Sequence, residues 1–514
     1  MPHQSAARNL IGRAKAYELG VLPSDFDAKT RTLTVQYAGS DPAIRQQLHV
    51  HTGSRWKIEI QAATPAAVQQ GLRDLFGPQK EAASVPETIE TWNEIAQRSA
   101  DLNAQNIRLK PTLAGGTVVL EVEGQMLLDR ELDRDRFEEL ISYIAIRSFS
   151  DFNRQIGQRG EIDNDVDGRD LHFRVSSYPT FLKQDTGRVY LMLRTLRSID
   201  TLPPIDLDPD QRDLILNEIR RDGACVVLGA PPGVGKTTLA HWVIDQLDLA
   251  NTAAYSIEDP PEIVNPRLVQ SEIKPQVGWG YLEALTEVLR QQPKFVFLGE
   301  MLDTAIAERA MGAAPAGIPL MTTAQATHAL AIIARLRALR LDPLTITQAL
   351  TMMVSQRLVH ILCGDCRQAA QPSEGLRKMA QRQSIEVAGA EVYERGLGCE
   401  SCLHRGTIGQ TGIFEIVPIT ADIKIAILAN DDPAMAKTAR TEGFVTLAER
   451  ALRLIMDGKV DQRVLEQLPR TDVDALKITN EPFNALLEES VRSARTRGQE
   501  RRRHNTALRI VEPQ

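Results

Sequence analysis

Cysteine is scarce in this chain, with five in 514 residues, which excludes a scaffold built on disulfides. Membrane-spanning apolar runs are missing too. One uncharged stretch, Ala310 to Ala334, reaches membrane length, but its two Pro, two Gly, several Thr, Gln and His make it far too polar for a spanning helix. The start, MPHQSAARNLIGRAKAYELG, has no apolar core of the signal-peptide kind. These absences lead to the expectation of a soluble, intracellular protein. Nor does one charge dominate. With 60 Lys+Arg against 67 Asp+Glu the net charge is -7, which disfavours whole-chain attraction to nucleic acid or anionic lipid. There is no internal repeat and no low-complexity tract. What remains is ordinary globular composition, 43% apolar and 25% charged, at a length suited to three or four domains. Charge is uneven only at the end, where residues 490–514 carry seven Arg against two Glu.

Alternation of apolar periods divides the chain. Residues 1–76 read as a small α/β module, with strand-like LTVQY (Leu33–Tyr37) and WKIEI (Trp56–Ile60) before a helix-period segment, Pro65 to Phe76. A linker over 77–95 includes the polar stretch Gly77–Glu87. Residues 96–202 read as an α+β domain, with strands at Asn106–Lys110, Thr117–Val122, His172–Ser176 and Arg188–Leu193 and a helix at Asp135–Phe149. A Pro-rich joint, Thr201–Asp210, leads into residues 203–355, where apolar runs alternate with helical segments as in a parallel sheet covered by helices. Residues 356–418 hold two cysteine pairs, 419–469 read as helices, and 470–514 as a basic, partly disordered tail.

The chemistry concentrates at ACVVLG-APPGVGKTT-LAHWVIDQL (Ala224–Leu247): a buried strand, a Gly-rich turn and a helix. Ala230, Pro231, Pro232, Gly233, Val234, Gly235, Lys236, Thr237 and Thr238 form the turn and helix start, fitting [AG]-x-x-x-x-G-K-[ST]. Backbone N–H groups of such a turn point at phosphate oxygens, and the helix dipole favours the anion. Lys236 reaches the β- and γ-phosphates of ATP, and the Thr237 hydroxyl ligates Mg²⁺. The alternative is an inert Gly-rich turn. Carboxylates follow at strand ends, where a parallel sheet places its ligand groups. Glu258, Asp259 and Glu262 come after Ala253–Ile257, and Glu300 after Phe295–Leu298. Such acids can hold Mg²⁺ through water or polarise the attacking water. After Leu320–Thr323, either Gln325 or His328 is placed to sense the γ-phosphate, although His328 also reads as an ordinary helix-start residue.

Cys363-x-x-Cys366 and Cys399-x-x-Cys402 can each take two corners of a tetrahedral thiolate site, and Zn²⁺ suits four soft sulfurs. Four protein ligands would make the zinc structural. Redox dithiols or unliganded thiols are the alternatives. Cys225, in the strand before the loop, reads as a buried core residue.

Taken in order, these motifs resemble the ATPases of type II secretion and type IV pilus assembly, over about residues 10–469. The phosphate loop, an acidic box (SIEDPPEI), a strand ending in GE, the TTAQATHA segment and the tetracysteine module all have counterparts there. RVSSYP (Arg174–Pro179) and YLMLRTL (Tyr190–Leu196) look like the segment that supplies arginine fingers, and Arg174 and Arg194 are the candidates. If their strands are neighbours, both guanidiniums can face one site. The resemblance implies an α/β protein with a RecA-like P-loop ATPase core and a PAS-like α+β domain before it. It implies a hexamer at the cytoplasmic face of the inner membrane, with a platform protein as partner and pilins or pseudopilins moved indirectly. Three positions depart from the pattern: Ala230 stands for Gly, Leu302 for an Arg, and Gln325 for the histidine of its box. They leave room for a thin-pilus member. A DNA-associated conjugation-type ATPase, recommended by the basic tail, and a non-hydrolysing nucleotide-dependent scaffold are the competing readings.

Overall fold

The computed structural model describes residues 85–166, 168–182, 185–247, 253–469 and 480–511. It also describes 19–27, 32–39 and 57–76, and positions 11, 16, 30, 44, 45, 48 and 471. The chain divides into two compact units. One comprises Met1–Gln97, Leu113–Gly116 and Leu132–Ile146; the other comprises Arg98–Thr112, Thr117–Glu131 and Arg147–Gln514.

In the first unit, β1 (Val21–Asp27) pairs antiparallel with β2 (Thr32–Tyr37), which pairs parallel with β3 (Lys57–Ala62). Helix α1 (Pro65–Phe76) occupies the range its periodicity predicts. Leu33, Val35, Ile58, Val68 and Leu72 share one core. The segment read as a linker differs from expectation, because α2 (Val85–Asp101) starts within it. Pro86 is tolerated in a first helical turn, and Trp92, Ile95 and Ala96 form a fully buried stripe. Residues 77–84 of that linker lie outside the described residues.

The second unit carries two seven-stranded sheets. One runs β6-β5-β4-β9-β8-β7, with a seventh strand, β12 (Ile263–Val264), off this path beside β9, from β4 (Asn106–Pro111), β5 (Gly115–Val122), β6 (Gln125–Asp133), β7 (Gln158–Val166), β8 (Arg169–Leu182) and β9 (Asp185–Ser198). The helix predicted at Asp135–Phe149 is α3 (Arg134–Ser148), most of which belongs to the first unit. The strands expected at His172–Ser176 and Arg188–Leu193 are the middles of two long hairpin strands, and β6 and β7, which the sequence reading missed, scatter their apolar residues (Met126, Leu127, Leu128 and Leu132; Ile162 and Val166) among charged and polar ones.

The other sheet runs β13-β11-β14-β15-β10-β16-β19. Its strands are β10 (Cys225–Gly229), β11 (Ala254–Glu258), β13 (Val269–Glu272), β14 (Phe295–Leu298), β15 (Leu320–Ala324), β16 (Met352–Leu362) and β19 (Thr407–Pro418). All pairs are parallel except β16 with β19. Alternation along each strand feeds two cores, one per face. Cys225, Val227, Val296 and Leu298 enter one, while Val226, Leu228, Phe295 and Phe297 enter the other. The sheets meet through β12 (Ile263–Val264), which pairs parallel with β9 at Ile263↔Arg197 and Val264↔Ser198.

Beyond β19, helices α11 (Ala421–Leu428), α12 (Asp432–Thr441) and α13 (Leu447–Met456) follow. Arg440 and Glu449 form a bidentate ion pair at 2.6 and 2.8 Å, with their side chains 3% and 0% exposed. Gln383 adds a third donor to Glu449 at 2.7 Å. The region read as a partly disordered tail differs most. It carries α15 (Glu481–Val511), which buries Phe483, Leu487, Val491 and Ala494 against α13 residues such as Leu452 and Ile455. That spacing is a helical stripe, hidden in the sequence by the surrounding Arg residues. Arg495 and Arg497 donate to the carbonyls of Glu386 and Met456, and Arg501 lies 3.4 Å from Glu391. Among the described residues no helix is long and apolar enough to cross a membrane.

Candidate functional site

Parallel register brings the strand ends into line: Gly229 pairs with Ala324 and Ser355, Leu298 with Thr322, and Ile257 with Leu298. The phosphate loop, the acidic segment, Glu300 and Gln325 therefore leave the same edge of one sheet. Two prolines after Ala230 end the strand. Gly233 and Gly235 take the left-handed region, φ +76° and +85°, which glycine enters without a Cβ penalty. Gly235 caps α5 (Lys236–Asp245), with no side chain competing for the first amides. Thr237 and Thr238 stand half-buried in its first turn. Lys236 Nζ donates to the carbonyls of Ala230 and Pro231, at 2.9 Å each. Burial pulls its ammonium below the usual lysine range, with the Glu300 and Glu262 carboxylates opposing.

Glu300 is half-buried, and Gln325 Nε2 donates to its Oε1 at 3.0 Å. Thus the glutamine in the histidine's place holds the carboxylate at the end of the neighbouring strand. Glu258 is the last residue of β11. It is 4% exposed and enclosed by Ser256 Oγ (2.8 Å), Gln270 Nε2 (3.2 Å) and His241 Nε2 (3.4 Å). Asp259 is exposed and Glu262 half-buried. His328 precedes α8 (Ala331–Ala338).

Arg174 and Arg194 are directly opposite each other on β8 and β9. Arg174 Nη1 donates to the Pro261 carbonyl at 2.9 Å and its Nη2 lies 3.4 Å from Glu272, while Nε reaches Glu161 at 3.3 Å. Arg194 Nη1 meets Glu262 at 2.7 Å. The two arginines thus reach the acidic segment, and neither touches the loop.

Sequence reasoning missed three residues. Tyr281, at the start of α6 (Tyr281–Arg290), has its hydroxyl pushed above the usual tyrosine range, first by burial and then by Asp259, Glu300 and Glu258. Gln356 Nε2 donates to Val234 O at 2.7 Å. Arg357 donates to the carbonyls of Gln356 and Thr327, and burial lowers its pKa despite nearby Glu415. None lies in a motif with a local signature.

The four cysteines converge. Cys363–Cys399, Cys366–Cys402 and Cys399–Cys402 sulfurs are 3.7, 3.9 and 3.8 Å apart, and all four lie within 4.8 Å of one another. Zn–S bonds of about 2.3 Å in a tetrahedron put sulfurs roughly 3.8 Å apart, so the set fits zinc. Burial works against a thiolate at Cys402, but N–H groups of Cys399 and Gly406 donate to its sulfur and bring its pKa down to about 6. Next to the cluster, Glu123 in the β5–β6 turn pairs with Arg405 at 3.0 Å and accepts from Gly409 N at 2.9 Å. Cys225 is a core residue, 0% exposed, and burial raises its thiol to about 12.

A Gly-rich loop between a buried parallel strand and a helix, on a sheet with helices on both faces and a tetracysteine module at its antiparallel end, defines a multidomain α/β P-loop protein. The family model described as type II/IV secretion system protein matches residues 79–480. The chain belongs to that family. It is 26% identical over 429 residues to the type IV pilus assembly ATPase PilB of Thermus thermophilus, covering 79% of this chain and 48% of the relative. It is 29% identical over 290 residues to the type II secretion system protein E of Aeromonas hydrophila, covering 56% and 57%. The chain thus spans only about half the length of these curated relatives. Among solved structures, the Legionella pneumophila ATPase DotB superposes with a TM-score of 0.55 at 17% identity, over 74% of this chain and 95% of that one. The pilus retraction motor PilT with bound ADP gives 0.51 at 18%, over 74% and 97%. Both likenesses concern the fold.

Proposed function

We propose that this chain is a motor ATPase of a pilus-assembly or secretion machine, binding MgATP at residues 230–238 and hydrolysing it. Lys236 neutralises the β- and γ-phosphates, and Thr237 ligates Mg²⁺. Glu300 polarises the attacking water, with Gln325 orienting its carboxylate. Asp259 and Glu262 belong to the metal and phosphate surroundings, while Glu258, enclosed by Ser256, Gln270 and His241, holds the strand end in place. Arg174 and Arg194 clamp the γ-phosphate side when the two sheets close, moving about the joint near Pro203–Pro204. Zinc on the four cysteines is structural. By resemblance the working form is a homohexamer at the cytoplasmic face of the inner membrane, engaging a platform protein and through it pilins or pseudopilins.

The observation that carries this reading is the cross-strand pair Arg174–Arg194 reaching Pro261 and Glu262, in the acidic segment that leaves the same sheet edge as the phosphate loop. Two arginines from one sheet and a phosphate loop from another thereby share one acidic segment. The basic tail, which recommended a nucleic-acid reading, spends Arg495, Arg497 and Arg501 on contacts within the chain. Glu300→Gln tests the assignment. It should bind ATP as the wild type does and hydrolyse it slower by roughly 10²–10⁴, the usual loss for a general base. Near-normal phosphate release from this variant would remove Glu300 from the mechanism.

A further inference from the structure

We propose that Gln356 is a positioning residue for the phosphate loop: it holds the Val234–Gly235 peptide so that the Gly235 N–H is presented to a nucleotide phosphate. The inference rests on the reading above that the loop binds nucleotide. Gln356 lies on β16, the strand beside β10, and is 4% exposed. Its Nε2 donates to Val234 O at 2.7 Å. A trans peptide is planar, with C=O and N–H on opposite sides. Pinning the Val234 carbonyl towards β16 therefore turns the Gly235 N–H away from β16.

The loop needs such a pin because of its own composition. Gly233 and Gly235 flank Val234, both at positive φ, and glycine crosses between conformations at little steric cost. Rotation of the intervening peptide is the easiest distortion open to the loop, and it would replace a phosphate-facing donor by a repelling carbonyl. The fit at this point is close, since a Cβ on Gly235 would stand 2.7 Å from Gln356 Nε2.

Packing does not account for the glutamine. Its Oε1 is buried without a hydrogen-bond partner among the described residues, and an unmade buried hydrogen bond is unfavourable. Leucine, of similar size, would fill the space without that burden. What only the amide supplies is the donor to Val234.

Gln356→Leu and Gln356→Met in the full chain test this, the second keeping the unbranched length but placing no donor at Val234. The readouts are ATP and ADP affinity, KM, kcat and the unfolding temperature without nucleotide. For the leucine variant the unfolding temperature should be equal or higher. In both variants the Kd for ATP and for ADP should rise about tenfold, the scale of one lost hydrogen bond in a site. KM should rise with it while kcat stays within about threefold, because an N–H that holds phosphate before and during reaction contributes uniform binding. Wild-type affinity in either variant overturns the proposal, as does a lowered unfolding temperature with KM unchanged. Lys236→Ala separates the two levels of inference. If it loses nucleotide while Gln356→Leu keeps it, the site stands and only the role of Gln356 fails. If Lys236→Ala binds nucleotide as tightly as the wild type, the loop reading fails and this inference with it.

Discussion

The cysteine cluster and the surroundings of the Gly-rich loop are held together differently. Each sulfur has another within 3.9 Å, and the N–H donors to Cys402 come from Cys399 and Gly406, within four residues. Around the phosphate loop the partners come from different elements: Glu300 is held by Gln325 of the next strand end, Val234 by Gln356 of β16, Arg194 by Glu262. A ligand cage closed on itself is suited to stay still. Part-exposed ion pairs such as Arg194–Glu262, at 43% and 46% exposure, contribute little to stability and so can exchange partners at small expense. The difference accords with the proposal that the cluster supports the fold while the loop does the chemistry.

Removing the metal should have the largest effect and would break the contrast if it failed. Purified protein should carry about one zinc per chain, and structural zinc contributes on the order of 10 kcal/mol to its own module. Cys363→Ser should therefore abolish amide-exchange protection through residues 363–407 while nucleotide affinity changes by no more than about twofold. Protein prepared without chelator and free of zinc by elemental analysis would overturn the assignment.

The arginines sharpen the other half. Arg174→Ala and Arg194→Ala, assayed as assembled oligomers, should each lower ATP hydrolysis by roughly 10³–10⁵, the range for arginine fingers. Unfolding temperature and nucleotide affinity should change little. Two variants that hydrolyse normally would leave these residues as ordinary surface charges.

Arg440→Ala supplies the smaller, non-selective reference. It strands the buried Glu449 carboxylate, and breaking such a pair costs about 3–5 kcal/mol. The denaturation midpoint should fall, with KM for ATP and zinc content of the folded fraction unchanged. A loss below about 1 kcal/mol would show that water reaches Glu449.

Most of what local sequence could express was legible. Pro and Gly placement marked the loop, the Cys-x-x-Cys spacing marked all four sulfurs, and α1 matched its apolar period from Pro65 to Phe76. The misses share a cause. α15 hides four buried residues among Arg and Glu, and α2 carries its stripe through a segment whose Pro and polar residues read as linker. The enclosure of Glu258 was not legible either, because of its partners Ser256, Gln270 and His241 only Ser256 is a near neighbour in sequence.

The sequence by itself determined the Gly-rich loop, the pairing of the cysteines and the alternation of strands and helices, since each depends on backbone preference or residue spacing within a few positions. The tertiary structure alone decided that Arg174 faces Arg194, that Gln325 takes hold of Glu300, and that Gln356 reaches back 122 residues to Val234. Those pairings follow from strand order and register, and register is set by which faces of distant strands are buried together.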